Sequence, residues 1–207
     1  MFKLFQFLTI MLAMMPVAAH AIDLDKVQEG DLAFVVDARY DAIVSVTHAI
    51  DSLPVYHVAV FHRIGGDNGP LYLIEAHSRR GVSLNPVDSF LVESGKGNVV
   101  LGRARNLDVK KSIGNALSYV GLPFDANYMP GTDAFYCSEL VQVSFVDHDG
   151  NPIYEPIPMN FRDKDGNIPQ VWQHHYDKQN LPVPEGLPGS NPGALTRHPA
   201  TQILRHP

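Results

Sequence analysis

Two runs rich in β-branched and aromatic residues, His57-Val-Ala-Val-Phe61 and Leu71-Tyr-Leu-Ile-Glu75, flank the turn-forming stretch Ile64-Gly-Gly-Asp-Asn-Gly-Pro70. That pattern is a β-hairpin, and a hairpin is stable only when further strands and a covering layer bury its apolar face. The chain supplies both. Leu32 to Val36, introduced by Gly30-Asp31, reads as a short buried strand, Gly81 to Val87 as a third strand of the hairpin sheet and Asn98 to Gly102 as a fourth. Helical spacing marks Ile43, Val46 and Ile50, which predicts a helix over about Ala38 to Ile50, and a short helix is expected near Ser89 to Glu93. Ile113, Ala116, Leu117 and Val120 predict another, stopped by Gly121 and Pro123. A further helix is expected over about Ala134 to Val146, with Thr132 or Asp133 as N-cap and Asp149-Gly150 at its end. Runs of strands joined to helices in this way predict an α+β domain over about residues 26–150.

Beyond Gly150 the texture changes: 10 of the 16 prolines lie there and hydrophobic periodicity almost vanishes. Residues 151–207 therefore read as a proline-rich C-terminal extension wrapping the domain. One short helix is expected over about Ile168 to Lys178, carrying Trp172, while Leu181 to Pro207 cannot build a core of its own. At the other end, residues 1–21 carry Lys3, an apolar run from Leu8 to Ala18 broken by Pro16, and then Ala19-His20-Ala21. This is the pattern of a secretory signal peptide with a small-x-small cleavage site, and the run is shorter than the roughly 20 residues a spanning helix needs. The expectation is a periplasmic or secreted protein, cleaved near Ala21, whose mature chain starts near Ile22 and has no stable membrane span.

Without Lys3 the formal charge moves from -6 to -7, and no block of basic residues exists, so nucleic acid is not expected as a partner. Cys137 is the single cysteine, which excludes an internal disulfide and leaves an apolar filler, an intermolecular bridge or a reactive thiol. Its context favours the thiol. The segment Asp133-Ala-Phe-Tyr-Cys-Ser-Glu-Leu140 places it near the first turn of a helix, where unpaired amides and aligned peptide dipoles favour thiolate. Cys137, Leu140, Val141 and Ser144 share the helix face expected to pack on the sheet.

On the hairpin, His57 and Glu75 share a face in either even register. With a loop of five residues, Ile64 to Asn68, His57 pairs with Glu75; with two more loop residues His57 faces His77 and Glu75 is its diagonal neighbour. A one-residue slip would separate them. A carboxylate that takes one ring N–H holds the imidazole in the tautomer whose other nitrogen can accept a proton from sulfur. Other chemistries fail on spacing. His57 and His62 point to opposite faces, His174-His175 lacks a partner, and no zinc motif exists. The Asp-x-Asp-Gly strings at Asp147 and Asp163 offer non-carboxylate residues where a calcium loop needs ligands, so they read as turns. No cofactor and no metal are expected.

Gly30-Asp-Leu, His57-Val-Ala-Val, Leu73-Ile-Glu-Ala76 and Phe135-Tyr-Cys-Ser-Glu-Leu-Val141 resemble the successive motifs of the YiiX-like permuted papain-fold hydrolases, relatives of the NlpC cell-wall peptidase superfamily. The resemblance covers roughly residues 28–147 and extends loosely to Pro188-Gly-Ser-Asn-Pro-Gly193. It implies a circularly permuted papain-like fold, with an antiparallel sheet packed against helices, and it accounts for the order His57, Glu75, Cys137, the inverse of the usual one. It further implies Cys137 as nucleophile, His57 as base and Glu75 as orienting residue; His77 has no role in it. The expected function is an exported cysteine peptidase or amidase that cleaves an amide bond through a thioester. A peptide, a peptidoglycan stem peptide or fragment, or an N-acyl amide would serve as substrate. Two alternatives remain open: a lipid acyl hydrolase or acyltransferase using the same thiol, and a catalytically idle module that binds peptide or lipid.

Overall fold

The computed structural model describes residues 22–204 except 67 and 96, so the signal-peptide reading of residues 1–21 lies outside the described residues. In chain order the elements are β1 (Leu32–Val36), α1 (Asp41–Thr47), β2 (Val55–Arg63), β3 (Leu71–His77), β4 (Gly81–Pro86), α2 (Val87–Ser94), β5 (Val99–Ala104), α3 (Val109–Ser118), α4 (Cys137–Ser144), β6 (Ile157–Pro158), α5 (Gln170–Asp177), β7 (Pro188–Gly189), α6 (Pro192–Arg197) and β8 (Thr201–Leu204). Six strands form one sheet in the order β4-β3-β2-β1-β5-β8, each antiparallel to its neighbours, and β6 pairs with β7 apart from it.

The continuous apolar run of β1 has a simple cause: both faces of the sheet are covered. Leu32 and Phe34 join Val58, Val60, Ile74 and Ala76 beneath Ile113 and Ala116 of α3 and Leu140 and Val141 of α4. Ala33 and Val35 join Ala59, Phe61 and Leu73 on the other face, beneath Phe90 and Leu91 of α2. Pairing of β1 with β2 shifts between Val35 and Val36, so that Val35 faces His57 and Val36 faces Val55. This bulge lies next to the histidine, a common place for one to re-aim a side chain. Asp31 is buried and structural: it accepts from the Gln28 amide (2.8 Å) and from the guanidinium of Arg103 (2.6 and 2.7 Å).

Several boundaries differ from the sequence expectation, each because a distant segment takes the local hydrogen bonds. The helix expected over about Ala38 to Ile50 is only Asp41–Thr47; His48 turns left-handed (φ 44°) and the Ile50 amide bonds Thr196 Oγ1 of α6 (2.9 Å) instead of a helical carbonyl. The helix expected from Ala134 starts at Cys137, and neither Thr132 nor Asp133 caps it: Tyr136 is the N-cap, without a side-chain cap. Phe135 is held extended, its amide donating to the Pro123 carbonyl (3.1 Å) and its carbonyl accepting from the Asp125 amide (3.1 Å). Asp147 and Asp163 are turns, each accepting through Oδ1 from amides two and four residues on.

The chain beyond Gly150 does not stand apart from the sheet. β8 pairs along β5 from Leu101↔Leu204 to Ala104↔Thr201, and Leu195 of α6 is buried in the same cluster as Leu140 and Phe34. Met159, Phe161, Trp172 and Tyr176 form a third cluster with Val46 of α1 and Tyr136.

Candidate active site

The hairpin register is the one with the longer loop: Arg63 pairs with Leu71 and Val60 with Ile74, where the ladder stops, short of His57. His57 and Glu75 nevertheless share a face, and their side chains meet, with His57 Nε2 2.7 Å from Glu75 Oε2. That bond occupies Nε2, and Cys137 lines the same cavity as His57 and bears on its charge. Cys137 is the first residue of α4, partly buried against the core on which that helix packs. The first amides of a helix have no intrahelical acceptor, so the sulfur sits beside free donors and partial positive charge. All three predicted site residues line one cavity of about 250 Å³.

The electrostatics follow from this arrangement. Burial disfavours the imidazolium, but the neighbouring Cys137 sulfur and the Glu75 carboxylate outweigh it and raise His57 to about 10. Burial also disfavours the Glu75 carboxylate, and here the bond with His57 and those from Arg80 and Asn85 win, lowering it to about 2. At neutral pH both groups are charged.

Sequence reasoning did not find the residues that hold Glu75. Arg80 Nη2 donates to Glu75 Oε1 (2.8 Å) and Asn85 Nδ2 to the same oxygen (2.9 Å), so every strong bond the buried carboxylate needs is made. Arg80 is itself steered by Glu93 of α2 (3.0 and 2.9 Å). A buried asparagine inside a strand was the available signal, since Asn85 pairs with Leu73 and so lies on the face of Glu75. Arg80, in the turn that follows β3, carried none. His77, unplaced by the motif, lines the cavity, and its Nδ1 accepts from the Arg79 amide (3.2 Å), which leaves Nε2 to carry the proton of the neutral ring. Burial first and Arg80 second lower its pKa.

Aromatic residues build one side of the cavity wall, and Ser78, Arg79, Glu93 and Ser94 add polar groups to it. Tyr40 and Tyr56 stack at 3.8 Å, and Phe90, Phe124 and Tyr128 stand around them with Ile43. Glu139, two residues after Cys137, points elsewhere in chemistry: it is buried, its Oε2 has no hydrogen-bond partner, and burial followed by the charge of Asp125 pushes it up to about 8. It is held mostly protonated at neutral pH. Among the described residues no group of three or more His, Cys, Asp or Glu stands where it could hold a metal ion.

A sequence model of the permuted papain-like amidase enzymes, the YaeF/YiiX or C92 family, matches residues 26–205. The crystal structure of the metalloprotein yiiX from Escherichia coli O157:H7 superposes with a TM-score of 0.68 at 23% identity, covering 86% of this chain and 96% of that one. No curated protein matches the sequence.

Proposed function

This chain belongs to the permuted papain-like amidase family and is a cysteine amidase in that general sense, and we propose that Cys137 is its nucleophile, His57 its general base and Glu75 the residue that orients His57. The observation that carries this reading is the single imidazole that meets the Glu75 carboxylate at 2.7 Å in the cavity that the thiol at the start of α4 also lines. The thiolate attacks the amide carbonyl, forming the S–C bond while the carbonyl π pair moves to oxygen. That oxyanion is met by amides at the beginning of α4. His57 gives its proton to the leaving nitrogen as the tetrahedral species collapses to a thioester, then draws a proton from water for hydrolysis.

The cavity wall gives the substrate a character. Stacked Tyr40 and Tyr56 with Ile43, Phe90 and Phe124 form an apolar side that suits an apolar acyl group or an aromatic side chain. This supports an N-acyl amide or a peptide with an apolar residue at the scissile bond, and the same wall supports the second reading, transfer or hydrolysis of a lipid acyl group. Export with cleavage near Ala21 accompanies the proposal, and among the described residues no helix is long and apolar enough to cross a membrane. The yiiX protein is described as a metalloprotein, but among the described residues the side chains around Cys137 do not form a metal-ligand set, and no step here runs through a metal.

Thiol labelling tests the assignment. Iodoacetamide should modify Cys137 rapidly at mildly acidic pH, where an ordinary free cysteine is almost wholly protonated, and His57→Ala should slow this by orders of magnitude. If wild-type Cys137 labels only in denaturant, the chain uses its cleft for binding and not for thiol chemistry.

A further inference from the structure

The turn between β3 and β4 carries two arginines in succession, and their guanidinium groups have different surroundings. Arg80 is held by Glu75 (2.8 Å) and by Glu93 (2.9 Å). Arg79 lines the cavity that also holds Cys137; its backbone amide donates to His77 Nδ1 (3.2 Å), while its guanidinium meets no acid and no carbonyl among the described residues. The other charged groups of that cavity are taken: His57 pairs with Glu75 at 2.7 Å, and Glu93 pairs with Arg80. Arg79 is therefore the cavity-lining charge left without a counter-ion among the described residues.

The turn that presents it is held from both sides. Arg80 donates its amide to the His77 carbonyl (3.0 Å), and His77 pairs with Gly81, which closes the turn at φ 66°. Behind it, the Val82 amide donates to the Leu122 carbonyl (2.8 Å) and the Gly121 amide to the Val82 carbonyl (2.9 Å). A Cβ on Gly81 would stand 2.3 Å from the Leu122 oxygen, so the backbone there is closely packed. A binding group on a backbone already ordered loses less freedom when a ligand arrives. Two more donors lie in the same lining, the Ser78 hydroxyl and the Nε2–H of neutral His77. A guanidinium offers a planar fork of N–H donors that matches two oxygens of a carboxylate or a phosphate.

We propose that Arg79 is the recognition residue of a subsite for an anionic group, a carboxylate or a phosphate, borne by the amine part of the substrate. The inference rests on Cys137 being the nucleophile and on the apolar wall receiving the acyl part, which leaves the charged end of the cavity to the amine part. The substrate class is then an amide that joins an apolar acyl group to an amino acid or to an aminoalkyl phosphate. Arg79 makes and breaks no covalent bond; it holds the amine part in place while His57 protonates the leaving nitrogen.

Three affinity labels of Cys137 test the subsite: N-bromoacetylglycine carries a carboxylate, N-bromoacetyl-O-phosphoethanolamine a phosphate and N-bromoacetylethanolamine neither. In each, sulfur forms a bond to the same methylene carbon as bromide leaves. The readout is the ratio of labelling rate constants, anionic over neutral, divided by the same ratio for 2-mercaptoethanol, at about 0.5 M salt, where separated charges are screened. At least one anionic label should be favoured about tenfold in the wild type, and the ratio should fall to within about threefold of unity in Arg79→Gln. The larger ratio, carboxylate or phosphate, identifies an amino acid or a phosphate-bearing amine as the source of the charge. Ratios near unity for both anions in the wild type, a preference that persists in Arg79→Gln, or a thiol that takes iodoacetamide but none of the three labels would each overturn the subsite. A wild-type thiol that takes no label at all would instead refute the assignment of Cys137 as nucleophile.

Discussion

Glu75→Gln replaces a carboxylate by an amide of the same shape, and the surroundings decide how that amide must lie. Arg80 and Asn85 both donate to Oε1 at 2.8 and 2.9 Å, so the amide oxygen has to take that place and the NH2 group has to face His57 Nε2. The opposite orientation sets NH2 against two donors, and each buried donor left without an acceptor costs about 1–3 kcal/mol. An amide NH2 only donates, so Nε2 must accept and the ring proton moves to Nδ1, the nitrogen that has to receive the proton of sulfur. The imidazolium, which needs N–H at both positions, then meets a donor and has lost its anionic partner. A carboxylate-to-amide change beside the histidine of a serine-type triad costs about 10⁴ through the same wrong tautomer. The expected loss here is about 10³-fold in the iodoacetamide rate constant at pH 6, or ~4 kcal/mol of the barrier at 1.36 kcal/mol per decade. The assay is that rate constant from pH 5 to 10. In the wild type His57 keeps its positive charge until it loses its proton near pH 10, so the rate is expected to stay high across the range. The variant should regain reactivity only toward about pH 8.5, as an ordinary thiol does. A variant that labels at pH 6 within tenfold of the wild type, while still folded by circular dichroism, would refute the tautomer argument.

Three further substitutions probe the fold around the site. Glu139 has its folded pKa raised to about 8 by burial and Asp125, so between about pH 4.5 and 8 the folded state holds a proton that the unfolded chain has lost, and stability falls as pH rises through that window. Glu139→Gln removes this dependence: urea midpoints should match the wild type near pH 4 and exceed it by a growing margin up to pH 8. Leu195→Ala empties a fully packed position in α6 and should cost about 2–5 kcal/mol in urea unfolding, a result near zero being incompatible with the terminal segment belonging to the main core. A Cβ on Gly193 would stand 2.3 Å from the Thr47 carbonyl oxygen and 3.0 Å from the Ala49 amide, both backbone, so Gly193→Ala should force α6 away from the end of α1 and lower the melting temperature measurably.

What the sequence determined by itself was the content of each local segment. The bounds of β1 follow from five apolar residues in a row after Gly30-Asp31, and the hairpin from two β-rich runs around glycine and asparagine. Because side chains alternate with a period of two, His57 and Glu75 shared a face in either allowed register, and because a helix was expected from about Ala134, Cys137 fell near its first turn. Tertiary structure decided what those local signals leave degenerate. It chose the longer loop, in which Arg63 pairs with Leu71, and it moved the start of α4 to Cys137 by pairing Phe135 with the segment around Phe124. It made Thr201–Leu204 a sheet strand, although four residues are too few to show a period, and it brought Arg80 and Asn85 onto Glu75. Periodicity reports which face of a segment is apolar; it carries no information about which distant segment covers that face or takes its hydrogen bonds, and a buried charge is specified only by those partners.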